Sequence, residues 1–130
     1  MANTLIIVAA IILVLHGLIH LMGTAAYLKL APVQGLPYKT TLLAGHWELG
    51  ERGIAMYGVL WGIAAFGFVV AAVAFWAGWG WWSAELVGVT LFSLLLTALD
   101  WPVAYAGVIV NLLILALIWL GPLFTTWFAQ

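Results

Sequence analysis

The sequence predicts an all-α integral membrane protein folded as a four-helix bundle. Of its 130 residues, 68% are hydrophobic and only 5% are charged. Four long segments contain almost no Lys, Arg, Asp or Glu. A water-soluble surface normally needs about a quarter of its residues to be charged, so this composition requires lipid around most of the chain.

Each hydrophobic segment is long enough to cross a bilayer as a helix, which takes about 20 residues. We expect membrane spans at about residues 3–28, 52–77, 81–100 and 103–128. Residues 29–51 form the one long loop, where Pro32, Gly35 and Pro37 are typical of turns. The whole chain, 1–130, is therefore expected to be a single transmembrane domain.

Ser83, Asp100 and Pro102 predict where the last two helices begin. Ser83 is the expected N-cap of the third helix, because its hydroxyl can accept a free main-chain N–H. Pro102 interrupts helical hydrogen bonding, so the fourth helix is expected to begin at Val103. Asp100, just before this proline, is in a position to cap the fourth helix.

Charge and residue types exclude several classes of protein. Three Lys/Arg and four Asp/Glu give a net charge of -1, which excludes binding to nucleic acid through a basic surface. The chain has no cysteine, which excludes a disulfide, a thiolate metal site and a cysteine nucleophile. The expected partners are the lipid bilayer, further copies of this chain or other membrane subunits.

The three basic residues, Lys29, Lys39 and Arg52, all lie in the long loop or at its edge. Positive residues favour the cytoplasmic side of a membrane, so we expect this loop in the cytoplasm and the protein in the cell inner membrane. An even number of spans places both termini on the same side, opposite the loop. The tryptophan-rich turn at residues 76–82 lies on that side too.

Polar side chains within the spans concentrate in the half of the bundle nearest the long loop. His16 and His20 are four residues apart and share one helical face. The third span has a polar stripe, and the fourth span has a single amide at a similar depth. These positions predict a binding pocket lined by His16, His20, Ser93, Thr97, Asp100 and Asn111.

Polar groups in lipid need partners, so we expect both histidines to face the bundle interior. There they would reach Asn111 or the Ser93/Thr97 stripe, directly or through one water. A purely structural interpretation stays open, since interhelical hydrogen bonds contribute about 0.6 to 2 kcal/mol each. In that interpretation Asp100 only caps a helix.

A metal site is a further interpretation of the histidine pair. His16 and His20 with Asp100 or Glu51 would supply the nitrogen and oxygen ligands typical of zinc or non-haem iron. No span carries the Glu-x-x-His pair of di-iron bundles, and both membrane histidines share one helix, which is unfavourable for haem. We therefore predict no cofactor, with a metal ion as the open alternative.

Gly58 and Gly62 form a small-xxx-small motif in the second span. Such motifs let two helices approach closely. The contact is expected either within the bundle or against another protomer.

Several short motifs resemble those of a widespread group of small bacterial four-span membrane proteins, which are distantly similar in layout to DoxX-type proteins. The first span matches the His-Gly-x-Ile-His pattern and the fourth span its late asparagine, through His16, Gly17, Ile19, His20 and Asn111. The similarity extends over most of the chain, including residues 53–61, Ser93, Trp101 and 107–111. It implies a four-span layout and no particular activity. The loop segment 45–48 departs from the pattern, so no role for His46 is implied.

These observations favour a small non-enzymatic membrane protein that acts by lateral assembly, as a homo-oligomer or as an accessory subunit of a membrane complex. The alternative is a proton-linked carrier or binding protein for an ion or small molecule, because histidine titrates near neutral pH. A metal-binding membrane enzyme is the third interpretation.

Overall fold

The computed structural model describes the backbone of residues 2–128 and the side chains of residues 4–122. Within these residues it has four long helices: α1 (Ala2–Tyr27), α2 (Gly50–Trp76), α3 (Trp82–Leu99) and α4 (Trp101–Phe128). All four are long and apolar enough to cross a membrane. The predicted all-α four-helix membrane fold is confirmed.

The helices pack in chain order, α1 against α2, α2 against α3 and α3 against α4. Glycines permit the close approach of α1 to α2. A Cβ atom added to Gly58 would lie 2.9 Å from Cβ of Tyr27, and one added to Gly62 would lie 3.2 Å from Oγ1 of Thr24. The face formed by Gly58 and Gly62 is therefore occupied within the chain, by α1.

The predicted N-cap of α3, Ser83, is wrong, although the predicted span of 81–100 is close to the observed helix. The helix begins at Trp82, and its N-cap residue is Trp81, which makes no side-chain capping bond. Main-chain carbonyls of the tryptophan-rich turn replace the expected hydroxyl, since Trp82 donates its N–H to Trp79 and Glu85 donates to Trp81. Ser83 consequently lies inside the first turn.

α4 begins at Trp101, two residues before the expected start at Val103, and Ala104 has non-helical backbone angles just after this start. Proline is tolerated in a first helical turn, where its missing N–H would have no helical partner. The main-chain carbonyl of Asp100 accepts the N–H groups of Val103 and Ala104, which starts the helix across Pro102.

The loop between α1 and α2 contains a small antiparallel pair, β1 (Thr41–Leu42) and β2 (Trp47–Glu48), in which Thr41 faces Glu48 and Leu42 faces Trp47. A short 3-10 turn, Leu43–Gly45, joins the two strands. The sequence did not predict these strands, because two residues are too few to show an alternating pattern. The loop folds back on the helices, burying Leu36 and Leu42.

Two apolar clusters fill the bundle. The cluster at the loop end, which is the end that carries residues 28–49, includes Tyr27, Leu42, Ile54, Trp61 and Leu96. The cluster at the far end includes Leu13, Phe68, Ala71, Leu86 and Val89. Along α1, α3 and α4, the polar residues His16, His20, Ser93 and Asn111 lie between these clusters.

Candidate functional site

The layer between the two apolar clusters holds polar side chains from three helices. His16 and His20 come from α1, Ser93 from α3 and Asn111 from α4. All are buried, with at most 7% of each residue exposed. As the sequence predicted, both histidines face the interior.

Four hydrogen bonds join these residues. Nε2 of His16 lies 3.1 Å from Oδ1 of Asn111, and Nδ2 of Asn111 lies 2.8 Å from Oγ of Ser93. Oγ of Ser93 is 2.6 Å from Nε2 of His20, and Nδ1 of His20 is 2.9 Å from the carbonyl oxygen of His16. These bonds close a ring of His16, Asn111, Ser93 and His20, which we call the polar ring.

The direction of each bond follows from the contact between His20 and the main chain. The carbonyl oxygen of His16 can only accept, so Nδ1 of His20 carries a proton. A charged side chain at the bilayer centre costs roughly 2.5 to 3.5 kcal/mol, so His20 is neutral and its Nε2 is an acceptor. Ser93 therefore donates its hydroxyl hydrogen to His20.

The other two bonds then have one consistent direction. Ser93 has used its single hydrogen, so its oxygen accepts from Nδ2 of Asn111. The amide oxygen of Asn111 thus faces His16, and Nε2 of His16 must donate to it. In a neutral His16, Nδ1 then has no proton. Nδ1 of His16 takes no part in the bonds of the polar ring and can act only as an acceptor.

Neighbouring residues hold the polar ring in place. The second hydrogen of the Asn111 amide points to Oγ1 of Thr97 at 3.4 Å. Phe68 packs edge-on to His16 with ring centroids 4.6 Å apart, and Trp61 packs against His20 at 5.3 Å. The sequence did not predict a role for Trp61 and Phe68, because an aromatic residue in an apolar span carries no signal that distinguishes it from lipid-facing residues.

A cavity of about 330 Å³ lies beside the polar ring, between α1 and α4. Its polar lining side chains are those of His16, His20, Thr97 and the loop residue Gln34, and apolar residues make up the rest of the lining. Ile19 and Val110, which also line it, are 58% and 37% exposed on the outer surface. This α1–α4 cavity therefore opens toward the lipid. None of its lining residues is Asp, Glu, Lys or Arg.

Asp100 belongs to a separate polar cluster, not to the polar ring. Its fully buried carboxylate accepts hydrogen bonds from the hydroxyl of Tyr27 and the ammonium of Lys39. Lys39, a loop residue that the predicted site lacked, is thereby tied to the end of α3. Of the residues predicted to line one pocket, His16, His20 and Thr97 line the α1–α4 cavity, whereas Asp100 does not. Depth in the membrane does not determine which neighbours a side chain meets.

The proposed set of metal ligands is not assembled. Glu51 is exposed and accepts a hydrogen bond from Lys29 at 3.2 Å, which raises the pKa of the Lys29 ammonium above its usual value. Asp100 already pairs with Lys39. Among the residues that the structure describes, no three His, Cys, Asp or Glu side chains come together as a metal site.

Comparisons with known proteins identify no relative of the chain. No family model, curated protein or solved structure matches it. The resemblance to small four-span proteins stays a prediction, and the function has to be inferred from the geometry of the polar ring and the α1–α4 cavity.

Proposed function

We propose that the protein is a non-enzymatic membrane protein that binds or carries a small, uncharged, lipid-soluble molecule in the α1–α4 cavity. The observation that carries this proposal is the cavity itself. Its volume of about 330 Å³ falls in the range of about 300–1,000 Å³ that is typical of small-molecule sites. A mostly apolar wall with a few polar groups is also typical of such sites.

The lining residues argue against an ion as the bound molecule. An ion taken out of water needs an opposite charge or several polar ligands around it. The cavity wall supplies no formal charge, and the polar ring already satisfies most of the hydrogen-bonding groups of its members. The small-molecule form of the carrier hypothesis is therefore the one that the geometry supports.

Lateral assembly becomes the second proposal. The face of Gly58 and Gly62, which suggested a contact with another protomer, packs against α1 of the same chain. What still supports assembly is that most of the described chain is membrane-spanning helix. A macromolecular partner would therefore be met mainly within the membrane. Native mass in mild detergent tests it, because a monomer without a co-purifying subunit would contradict assembly.

We also propose that the loop end is cytoplasmic and that the membrane is the cell inner membrane. The three basic residues at this end support the orientation. Since the chain has no native cysteine, His46→Cys and Gly80→Cys can be labelled without background. His46 is exposed in the loop and has an ordinary negative φ. The proposal requires His46→Cys to be shielded from an impermeant thiol reagent in intact cells and Gly80→Cys to react, and the reverse pattern would contradict it.

Binding is tested by native mass spectrometry of the protein released from nanodiscs, followed by extraction of bound small molecules. Ala106 lines the cavity, so Ala106→Phe should fill it and remove the bound molecule. Ala98→Phe is the matched control, because Ala98 is an exposed alanine on α3 that does not line this cavity. Equal occupancy in both variants, or no bound molecule in the unmodified protein, would contradict the proposal.

A further inference from the structure

We infer that the molecule in the α1–α4 cavity carries a hydrogen-bond donor, a hydroxyl or N–H group, which it donates to Nδ1 of His16. The ligand class is thus an apolar alcohol, phenol or comparable neutral donor. This inference rests on the proposed function and adds to it the chemical group that is recognised.

The polar ring uses the two histidines differently. His20 has both ring nitrogens engaged, Nδ1 with the carbonyl of His16 and Nε2 with Ser93. His16 has only Nε2 engaged, with Asn111. Because Nε2 of His16 donates to Asn111, Nδ1 of the neutral His16 has no proton. This nitrogen can accept a hydrogen bond and cannot donate one.

The acceptor nitrogen belongs to a cavity-lining residue. His16 lines the cavity, although only 7% of the residue is exposed. A polar atom away from water is favourable only with a partner, and in an apolar cavity the bound molecule has to provide it. An ether or ketone offers only acceptors, which suit the unpartnered indole N–H of Trp61 in the cavity wall but face the lone pair of Nδ1 unfavourably. An alcohol or phenol offers an acceptor to Trp61 and a donor to Nδ1.

A cation is not a suitable partner for Nδ1. A metal ion would need further ligands, and the described residues place no third His, Cys, Asp or Glu side chain with the two histidines. An organic ammonium would lack a counter-charge, since no lining residue is acidic. A neutral donor satisfies Nδ1 without bringing charge into the membrane.

The test compares three probes of nearly identical shape: β-naphthol, its methyl ether and naphthalene. Each is titrated into the protein in nanodiscs of uncharged lipid, with empty nanodiscs as the reference for partitioning. One neutral hydrogen bond is worth about 3- to 10-fold in affinity, so β-naphthol should bind by about that factor more tightly than the ether. The ratio of the two affinities is used because it is insensitive to small losses of stability.

Two substitutions locate the donor contact. His16→Gln offers both an amide N–H for Asn111 and an oxygen as acceptor, so it should retain the preference for the alcohol. His16→Leu offers neither and should bring the ratio to about one. If this single variant does not fold, His16→Leu combined with Asn111→Leu removes the unpaired amide and gives the same comparison.

The outcomes separate this inference from the proposed function. If all three probes bind equally well and Ala106→Phe abolishes their binding, the cavity is a ligand site and the donor inference is wrong. A preference for the alcohol that persists in His16→Leu would also overturn it, because the donor would then be bound elsewhere. If no probe binds, the proposed function fails and this inference fails with it.

Discussion

His16 and His20 lie one helical turn apart, and the main chain makes them chemically different. His20 reaches back to the carbonyl of His16, which fixes its proton on Nδ1. His16 reaches across to Asn111 on α4 and holds its proton on Nε2. The two imidazoles are therefore opposite tautomers, and only His16 has a nitrogen left for a ligand.

Ser93 links His20 to Asn111 within the polar ring, through one hydrogen bond to each. Ser93→Ala removes one donor and one acceptor at once, leaving Nε2 of His20 without a donor and one of the two Nδ2 hydrogens of Asn111 unpaired. We expect a loss of about 1–3 kcal/mol in the free energy of unfolding, measured in mixed micelles.

The matched control for Ser93→Ala is Thr90→Val on the same stripe. Thr90 bonds only to the carbonyl of Leu86 in its own helix, at 2.6 Å. Losing such a local bond changes helix stability little. An equal loss in both variants would show that the polar ring contributes nothing specific.

At the scale of single elements, the loop is held to the bundle by one buried ion pair. Lys39→Met would leave the carboxylate of Asp100 buried with Tyr27 as its remaining partner. Breaking one side of a buried pair costs about 3–5 kcal/mol, so we expect marked destabilisation and faster proteolysis in the loop. Lys39→Arg should restore most of the stability.

Lys29→Met is the control for the loop prediction. Its partner Glu51 is exposed, and so is Lys29 itself. Exposed ion pairs contribute little to stability, so we expect no measurable change. Unfolding that is equally sensitive to both lysine substitutions would contradict a special role for the contact between Lys39 and Asp100.

The close packing of α1 against α2 predicts that a larger residue at Gly58 destabilises the bundle. Gly58→Ala would place a Cβ atom 2.9 Å from Cβ of Tyr27, so the helices must separate. Overpacking of this kind costs about 1–3 kcal/mol. Gly88→Ala is the control, because a Cβ there meets nothing within 4 Å. A Gly58→Ala variant that alters oligomeric state but not unfolding would place this face at an interface between chains.

The sequence predicted those features that depend on patterns along a single helix. Four apolar runs predicted the spans, and the spacing of His16 and His20 predicted one shared inward face. Membrane depth also brought Ser93 and Asn111 to the right level. The sequence did not predict the partner of Asp100, because Lys39 reaches Asp100 from a loop whose path is set by tertiary packing. Nor could it predict the cavity, which depends on how far α1 and α4 stand apart.

At the scale of the whole molecule, the bundle has an open side. The helices pack in chain order, and two cavities of about 330 and 270 Å³ line the boundary between α1 and α4. The hydrogen bond between His16 and Asn111 crosses this boundary between them. This open side is the route by which the proposed ligand would enter sideways from the bilayer, without passing through water.

The lateral opening predicts a specific dependence on side-chain size at the cavity mouth. Ile19→Trp should slow entry of β-naphthol from the bilayer, since Ile19 lines the opening of the cavity. Ile12→Trp is the control on the same helix, because Ile12 lines the second, smaller cavity. Stopped-flow fluorescence of the probe would measure both rates, and equal slowing in the two variants would contradict entry beside Ile19.

The proposal of a donor ligand in the α1–α4 cavity depends most directly on which atom donates in each hydrogen bond of the polar ring. Nitrogen-15 NMR of histidine side chains in nanodiscs measures which nitrogen of each imidazole carries the proton. The exposed His46 provides an internal reference. We predict that His16 is neutral with its proton on Nε2 and that His20 is neutral with its proton on Nδ1. Finding a proton on Nδ1 of His16, or a charged imidazole at either position at neutral pH, would contradict the ring and the acceptor it offers to a ligand.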